Sequence, residues 1–409
     1  MQDICRRPSC LTFRPKVTLM PIGLHLPPQQ HVYAGFALHA LTMGSIFPRM
    51  PDIMAAMGVG EGALGLGLMG APVGTFLALT FAAPILERIG FRRALLMVSP
   101  LVALFYAVAV QATGPLGLFL LLIPVGVGIG SAEILLNLEA DRTEALIGRR
   151  IMNRAHSFWS FGFFGAGLFG AWMAHLGISP QLHLGLMVLI AVAAVALLLG
   201  RFEPAPLREA TGQDTPRFAL PTPGIMLLVA VTLSALLLEG AGIDWSAIYM
   251  RTVHDSGPFV AGIAVAAMAL PQAITRFVAD KFVERFGPEL VSRALALCMA
   301  AAVVLLLMPI SPALSLLGFA LIGIGTSVFF PLAMSAAAQR TDRPASINVA
   351  ALAQISFTVF MVGPPLLGYV AEHYGIRWTY GFALPLVLLT LLTAGALQPG
   401  KRGLQVRQS

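Results

Sequence analysis

The chain has 409 residues, 57% of them hydrophobic and only 11% charged, with a mean hydropathy of +0.82. A soluble protein carries about 25% charged residues, so this composition excludes an ordinary soluble globule. The net charge of +7 sits in short stretches between apolar runs, as orientation in a bilayer requires, which argues against nucleic-acid binding.

Residues 1–30 are basic, punctuated by proline and too broken to span a bilayer, and they lack the continuous apolar core of a signal peptide. They read as a poorly ordered cytosolic tail, with Met1 and Met20 both open as the start. Three cysteines, Cys5, Cys10 and Cys298, provide no disulfide framework. Cys5 and Cys10 lack a fourth ligand, so neither a metal site nor a cofactor is expected.

Beyond the tail the apolar matter falls into runs near 20 residues, the length that crosses about 30 Å of hydrocarbon as a helix. Twelve spans are predicted. The first six are Val32–Met54, Glu61–Leu86, Arg93–Gln111, Leu116–Leu138, Asn153–Leu176 and Gln181–Leu199. A polar linker, Arg201–Pro223, separates them from Gly224–Tyr249, Phe259–Val283, Val291–Met308, Ala313–Ala337, Ile347–Ala371 and Trp378–Leu397. The tail, the even-numbered loops with their adjoining helix ends, and the C-terminal segment KRGLQVR hold 23 of the 26 Lys and Arg. Both termini are therefore expected to be cytosolic, in the cell (inner) membrane of a multi-pass protein.

The two halves repeat. Gly165–Ile178 matches Gly363–Ile376 at an offset of 198 residues, and Leu86–Arg93 resembles Val283–Leu290 at 197. The expected organisation is a tail (1–30), a six-helix bundle (31–200), a linker (201–223), a second six-helix bundle (224–397) and a short tail (398–409). The fold class is thus an all-α polytopic membrane protein of two pseudo-symmetric bundles. Such repeats hold their site at the interface near the midplane. The Gly-rich runs Gly65–Gly74 and Gly126–Gly130 lack the Lys and Ser/Thr of a phosphate loop and read as close helix packing.

Polar groups within spans mark a pathway by default. Glu133 and Asn137 lie one helical turn apart on the fourth span and so share a face. A carboxyl that faces apolar surroundings in one state and water or a cation in another can take up and release a proton, which makes Glu133 the expected proton-coupling group. His156 on the fifth span and Gln354 on the eleventh stand at matching repeat positions, with Trp159 and Phe357 close by and Gln272 on the eighth. Arg49 ends the first span within FPRMPD, where two prolines unwind the helix. Glu239 and Asp244 end the seventh. Shifted by the repeat offset, Arg49 lands near Asp244, so the two are expected to pair as an outer gate. Trp245 reads as an interface anchor. The candidate substrate-binding set is Arg49, Glu133, Asn137, His156, Trp159, Glu239, Asp244, Gln272, Gln354 and Phe357. Glu87 and Arg88, with Asp280, Lys281 and Arg285 in the other half, are expected to form a cytosolic gate.

Twelve spans, a long middle loop and a charged turn after the second span resemble the major facilitator superfamily. That family's turn runs Gly-x-x-x-Asp-Arg-x-Gly and then basic residues; here Ala83, Glu87, Arg88, Gly90, Arg92 and Arg93 occupy those positions. Within the superfamily, Glu133-x-x-x-Asn137 and Trp159-Ser160-Phe161-Gly162 resemble the fucose-permease-like branch, with His156 and Trp159 in place of two amide residues. The resemblance implies a secondary active transporter working by alternating access, with a small organic molecule and protons as partners. Monomeric and without enzymatic activity, it would be a symporter. An exporter of drugs or metabolites on the same fold stays open, as does, more remotely, a membrane-embedded enzyme acting on lipids.

Overall fold

The computed structural model describes residues 23–207 and 219–398. The expectations for most of the basic tail, for the middle of the linker and for KRGLQVR lie outside these residues. Everything long in the described chain is helical. Its helices are α1 (Pro28–Gly44), α2 (Glu61–Phe81), α3 (Phe91–Ala109), α4 (Pro115–Ile147), α5 (Met152–His175), α6 (Pro180–Leu199) and α7 (Pro223–His254). Then come α8 (Pro258–Phe286), α9 (Pro288–Leu307), α10 (Pro312–Ala338), α11 (Ala345–Tyr374) and α12 (Trp378–Leu397).

Ten helices among the described residues are long and apolar enough to cross a membrane. The two expected spans outside that set are helical as well. α1 has 17 residues, and α5, with 24, carries Asn153, Arg154, His156 and Ser157 in its first turns. The outward faces suit lipid: on α6, Leu182, Leu189, Val192 and Leu197 are all more than half exposed.

Helix starts follow local chemistry. Proline stands in the first turn of α4, α6, α7, α8, α9 and α10, where its missing N–H leaves no bond unmade. Ser179, Thr222 and Ser311 cap α6, α7 and α10 by accepting from the backbone N–H three residues on. Turn glycines 197 and 198 residues apart share a conformation: Gly90 and Gly287 hold φ of 88° and 81°, and Gly177 and Gly375 hold 69° and 89°. A residue with a Cβ is strained in that region.

Several boundaries differ from expectation. The first span stops at Gly44, and FPRMPD forms a 3-10 turn, Phe47–Arg49, followed by a short helix, Met50–Met57, as the two prolines foreshadowed. The second span is broken at Met69, and its charged end is a separate short helix, Ala83–Ile89, entered through Pro84. α4 runs nine residues beyond the expected Leu138, to Ile147, because its polar end remains a good helix former and Gly148 caps it in a left-handed conformation.

Small residues set the closest contacts, as the Gly-rich runs suggested. α2 lies so near α4 that a methyl group at Gly126 would fall 1.9 Å from the Ala71 carbonyl oxygen, and one at Gly74 2.0 Å from that of Ile123. α5 packs along α8, where Gly167 meets Ala266 and Gly262 meets Ala171. These two helices come from different halves, so their seam is a main joint of the molecule.

Trp245 departs from expectation. It is fully buried rather than set at an interface, because α7 packs against α11 and brings the indole against Gly368.

Candidate functional site

A cavity of about 760 Å³ opens between helices of the two halves. Its walls come from regularly spaced faces. α4 contributes Ile129, Glu133 and Asn137, one turn apart each, and α11 contributes Ala350, Gln354 and Phe357 on one stripe. α2 supplies Thr75, Phe76 and Leu79, α5 supplies Trp159, and α7 supplies Glu239, Gly240 and Asp244. The size suits a small organic molecule, and the walls are mostly apolar with a few polar groups.

One end of the cavity is closed. There α11 packs along the first segment of α2, Glu61–Leu68, with a methyl group at Gly65 due to fall 2.5 Å from the Pro364 carbonyl oxygen. Asp52 accepts a 2.8 Å bond from Arg49 and faces Arg251 of α7 at 3.7 Å, which ties the two halves there. Toward the other end α11 scarcely touches the second segment of α2, Gly70–Phe81, and the cavity wall reaches the exposed Leu79.

Two polar networks flank the cavity. On the α4 side, His156 donates from Nε2 to Asn137 Oδ1 at 3.3 Å, and Asn137 donates from Nδ2 to Glu133 Oε2 at 3.0 Å. Phe36 meets the His156 ring edge to face at 5.0 Å and holds its orientation. On the α7 side, Arg276 lies 3.1 Å from Glu239 and donates to the Ser327 carbonyl at 2.9 Å and to Ser160 Oγ at 3.1 Å. Gln272 adds a 2.8 Å bond to the same Glu239 oxygen. Ser160 in turn donates to the His156 carbonyl, so α7, α8, α5 and α4 are joined by one run of hydrogen bonds.

Seven of the ten expected site residues line the cavity: Glu133, Asn137, Trp159, Glu239, Asp244, Gln354 and Phe357. Gln354 also accepts from the Ala219 backbone, and the Phe357 ring lies 6.3 Å from that of Phe76. Gln272 and His156 stand behind the wall and hold Glu239 and Asn137 in position. Arg49 is not at the cavity. It is buried, 3% exposed, and bonds Asp52 and the Ile178 carbonyl, so the expected Arg49–Asp244 pair is replaced by a link from Asp52 to Arg251. The reason is local: the turn at Phe47–Arg49 curls the guanidinium back toward Asp52, three residues on.

The expected charge latch is not assembled in this conformation. Glu87, Arg88 and Lys281 are exposed and form no ion pair among the described residues, and Arg285 stacks on Phe286 of its own helix. Of these five residues, Asp280 is the one with a contact to the other half among the described residues, accepting a 2.6 Å bond from Asn153 of α5. In the loop between α10 and α11, Asp342 accepts from Asn348, Thr222 and Arg340, and the Asn348 bond foremost holds its carboxyl down at about 2. Among the described residues no three His, Cys, Asp or Glu side chains gather as a metal site would need.

Arg276 is the residue that sequence reasoning missed. It lies one turn beyond Gln272 on the same face of α8, and that spacing was the signal.

A model of the Major Facilitator Superfamily matches residues 227–408. An uncharacterized MFS-type transporter of Yersinia pestis is 27% identical over 367 residues, 88% of this chain and 94% of the relative. Another relative, the membrane protein MosC of Rhizobium meliloti, is 24% identical over 353 residues, 83% of each chain. Among solved structures, this chain is similar to the nucleoside transporter NupG, with a TM-score of 0.66 at 13% identity over 91% of this chain and 98% of that one. A variant of the E. coli fucose:proton symporter FucP gives a TM-score of 0.58 at 16% identity over 91% and 99%.

Proposed function

We propose that this chain is a major facilitator protein, a proton-coupled secondary active transporter that moves a small organic solute by alternating access. The observation that carries this reading is the cavity itself: it lies between helices of the two halves, is closed at one end, and has Glu133 on its wall with Asn137 and His156 lined up behind. Two structurally similar proteins are proton symporters by name, for D-xylose and for fucose. The fucose-permease-like branch is the reading that Glu133-x-x-x-Asn137 favours.

In this account twelve helices cross the inner membrane as two pseudo-symmetric bundles, 31–200 and 224–397, with both termini in the cytosol. The closed end is then the outer one, and the conformation faces inward. The Glu133 carboxyl takes a proton when the cavity opens outward and releases it inward, with Asn137 and His156 adjusting its hydrogen bonds as it does so. Asp280, Lys281, Arg285, Glu87 and Arg88 come together only when the cytosolic face closes, which accounts for their separation here.

The test is transport in proteoliposomes with a dye that reports internal pH. A substrate found by thermal-shift screening should carry protons with it, and Glu133→Gln should abolish accumulation against a gradient while keeping counterflow exchange. Wild-type accumulation by Glu133→Gln would refute the coupling role.

A further inference from the structure

We propose that the cavity selects an organic cation with an aromatic or otherwise apolar body, and that Asp244 is the carboxylate that anchors it; this rests on the transporter reading above. The acidic side chains on the wall are Glu133, Glu239 and Asp244, and among the described residues no Lys, Arg or His lines it. Their surroundings differ. Glu239 is matched by the Arg276 guanidinium at 3.1 Å and by Gln272. Glu133 receives the Asn137 amide at 3.0 Å, a neutral donor suited to a carboxyl that cycles with protons. Asp244 has no hydrogen bond or ion pair among the described residues, although it lies deep within the bundle beside Tyr106 and Ile243. Three arginines of the bundle are bound to other carboxylates: Arg49 and Arg251 to Asp52, and Arg276 to Glu239.

A carboxylate lined up on an apolar cavity without a counter-ion is unfavourable until a cation arrives, so its electrostatics favour a positive ligand over a neutral one and reject an anion. The rest of the wall suits the body of such a ligand. Phe47, Phe76, Trp159, Phe330, Phe357 and Phe360 offer aromatic faces, on which a cation with delocalised charge gains further attraction. Met43 and Met50 add adaptable apolar surface. A sugar would need a dense set of neutral hydrogen-bonding groups, and Asn137, Gln354, Thr75, Thr80, Ser356 and Tyr106 are spread over several helices of the wall. The substrate is therefore recognised by charge and apolar shape rather than by hydroxyl readout.

The test is binding to the purified full chain in non-ionic detergent by calorimetry, since the probe crosses bilayers unaided and its flux would be uninformative. Tetraphenylphosphonium is the cation, tetraphenylborate the anion of the same size and shape, and triphenylphosphine oxide the neutral control. The phosphonium should bind at least tenfold more tightly than either control, and Asp244→Asn should weaken it tenfold or more. Equal binding of borate or oxide overturns the proposal, and so does undiminished phosphonium binding by Asp244→Asn. The comparison of three probes on the unmodified chain stands even if that variant does not fold. A transporter whose cavity prefers the neutral probe would refute this inference and leave the transport reading intact; phosphonium binding by a chain that exchanges no solute would do the reverse.

Discussion

Replacing Arg276 by methionine should destabilise the protein by about 3–5 kcal/mol, the usual cost of removing one partner of a buried ion pair. The side chains of Arg276 and Glu239 are 18% and 13% exposed, so solvent screens the pair little. The variant leaves Glu239 with the Gln272 amide alone and frees the Ser327 carbonyl and Ser160 hydroxyl of their donor. Adding Glu239→Gln removes the stranded charge. What then remains is the loss of those two hydrogen bonds, about 1 kcal/mol each and about 2 kcal/mol together. Glu239→Gln, which destabilises the wild type, should therefore stabilise the Arg276→Met background by about 1–3 kcal/mol. The assay is equilibrium unfolding in mixed micelles at pH 8, where a free carboxylate is ionised, followed by tryptophan fluorescence. A double variant less stable than Arg276→Met would refute the pairing as the reason both residues are there.

Three further outcomes follow from other parts of the fold. Gly65→Leu should prise open the α2–α11 seam and raise cysteine accessibility from the closed side at Leu68, which is buried and lines the cavity, since the two helices can separate there; Gly126→Leu, facing the Ala71 carbonyl within one half, should instead abolish folding. The low pKa of Asp342 means that its bonds stabilise the fold fully above the unfolded carboxylate value of 3.8 and lose that effect as pH falls through about 2. Proteolytic protection of the Arg340–Arg343 loop should thus be unchanged between pH 8 and 5 and lost in Asp342→Ala at any pH. Reporter tags at residues 212 and 405 should both read as cytosolic; an external signal at 212 would overturn the proposed topology.

The helices and the close packing of Gly65–Gly74 and Gly126–Gly130 were legible in the sequence because length, apolar content and small-residue runs are local properties. The polar groups were legible singly, so most of the cavity wall's polar residues were named in advance. Which of them pair was not. Symmetry put Arg49 opposite Asp244, but the turn created by Pro48 and Pro51 directs the guanidinium to Asp52, a detail of chain direction that no offset carries. Arg276 was counted among the basic residues that orient α8, because it shares that helix with Lys281 and Arg285; only three-dimensional packing sets it facing Glu239 on α7. The charged turns were assigned to a latch from their recurrence, yet recurrence says nothing of the conformational state in which they meet.

Alternating access itself is tested most directly by two distances measured in one sample set. Spin labels at Ala56 and Tyr374 report the closed end and labels at Ile85 and Thr341 the other, all four positions being exposed. Pulsed dipolar spectroscopy should give a long separation at Ile85–Thr341 and a short one at Ala56–Tyr374 in the unmodified protein. Glu133→Gln, which mimics the protonated carboxyl, should shift the populations so that the first distance shortens as the second lengthens. Two distances that stay fixed, or that change in the same direction, would contradict a cavity exposed to one side at a time.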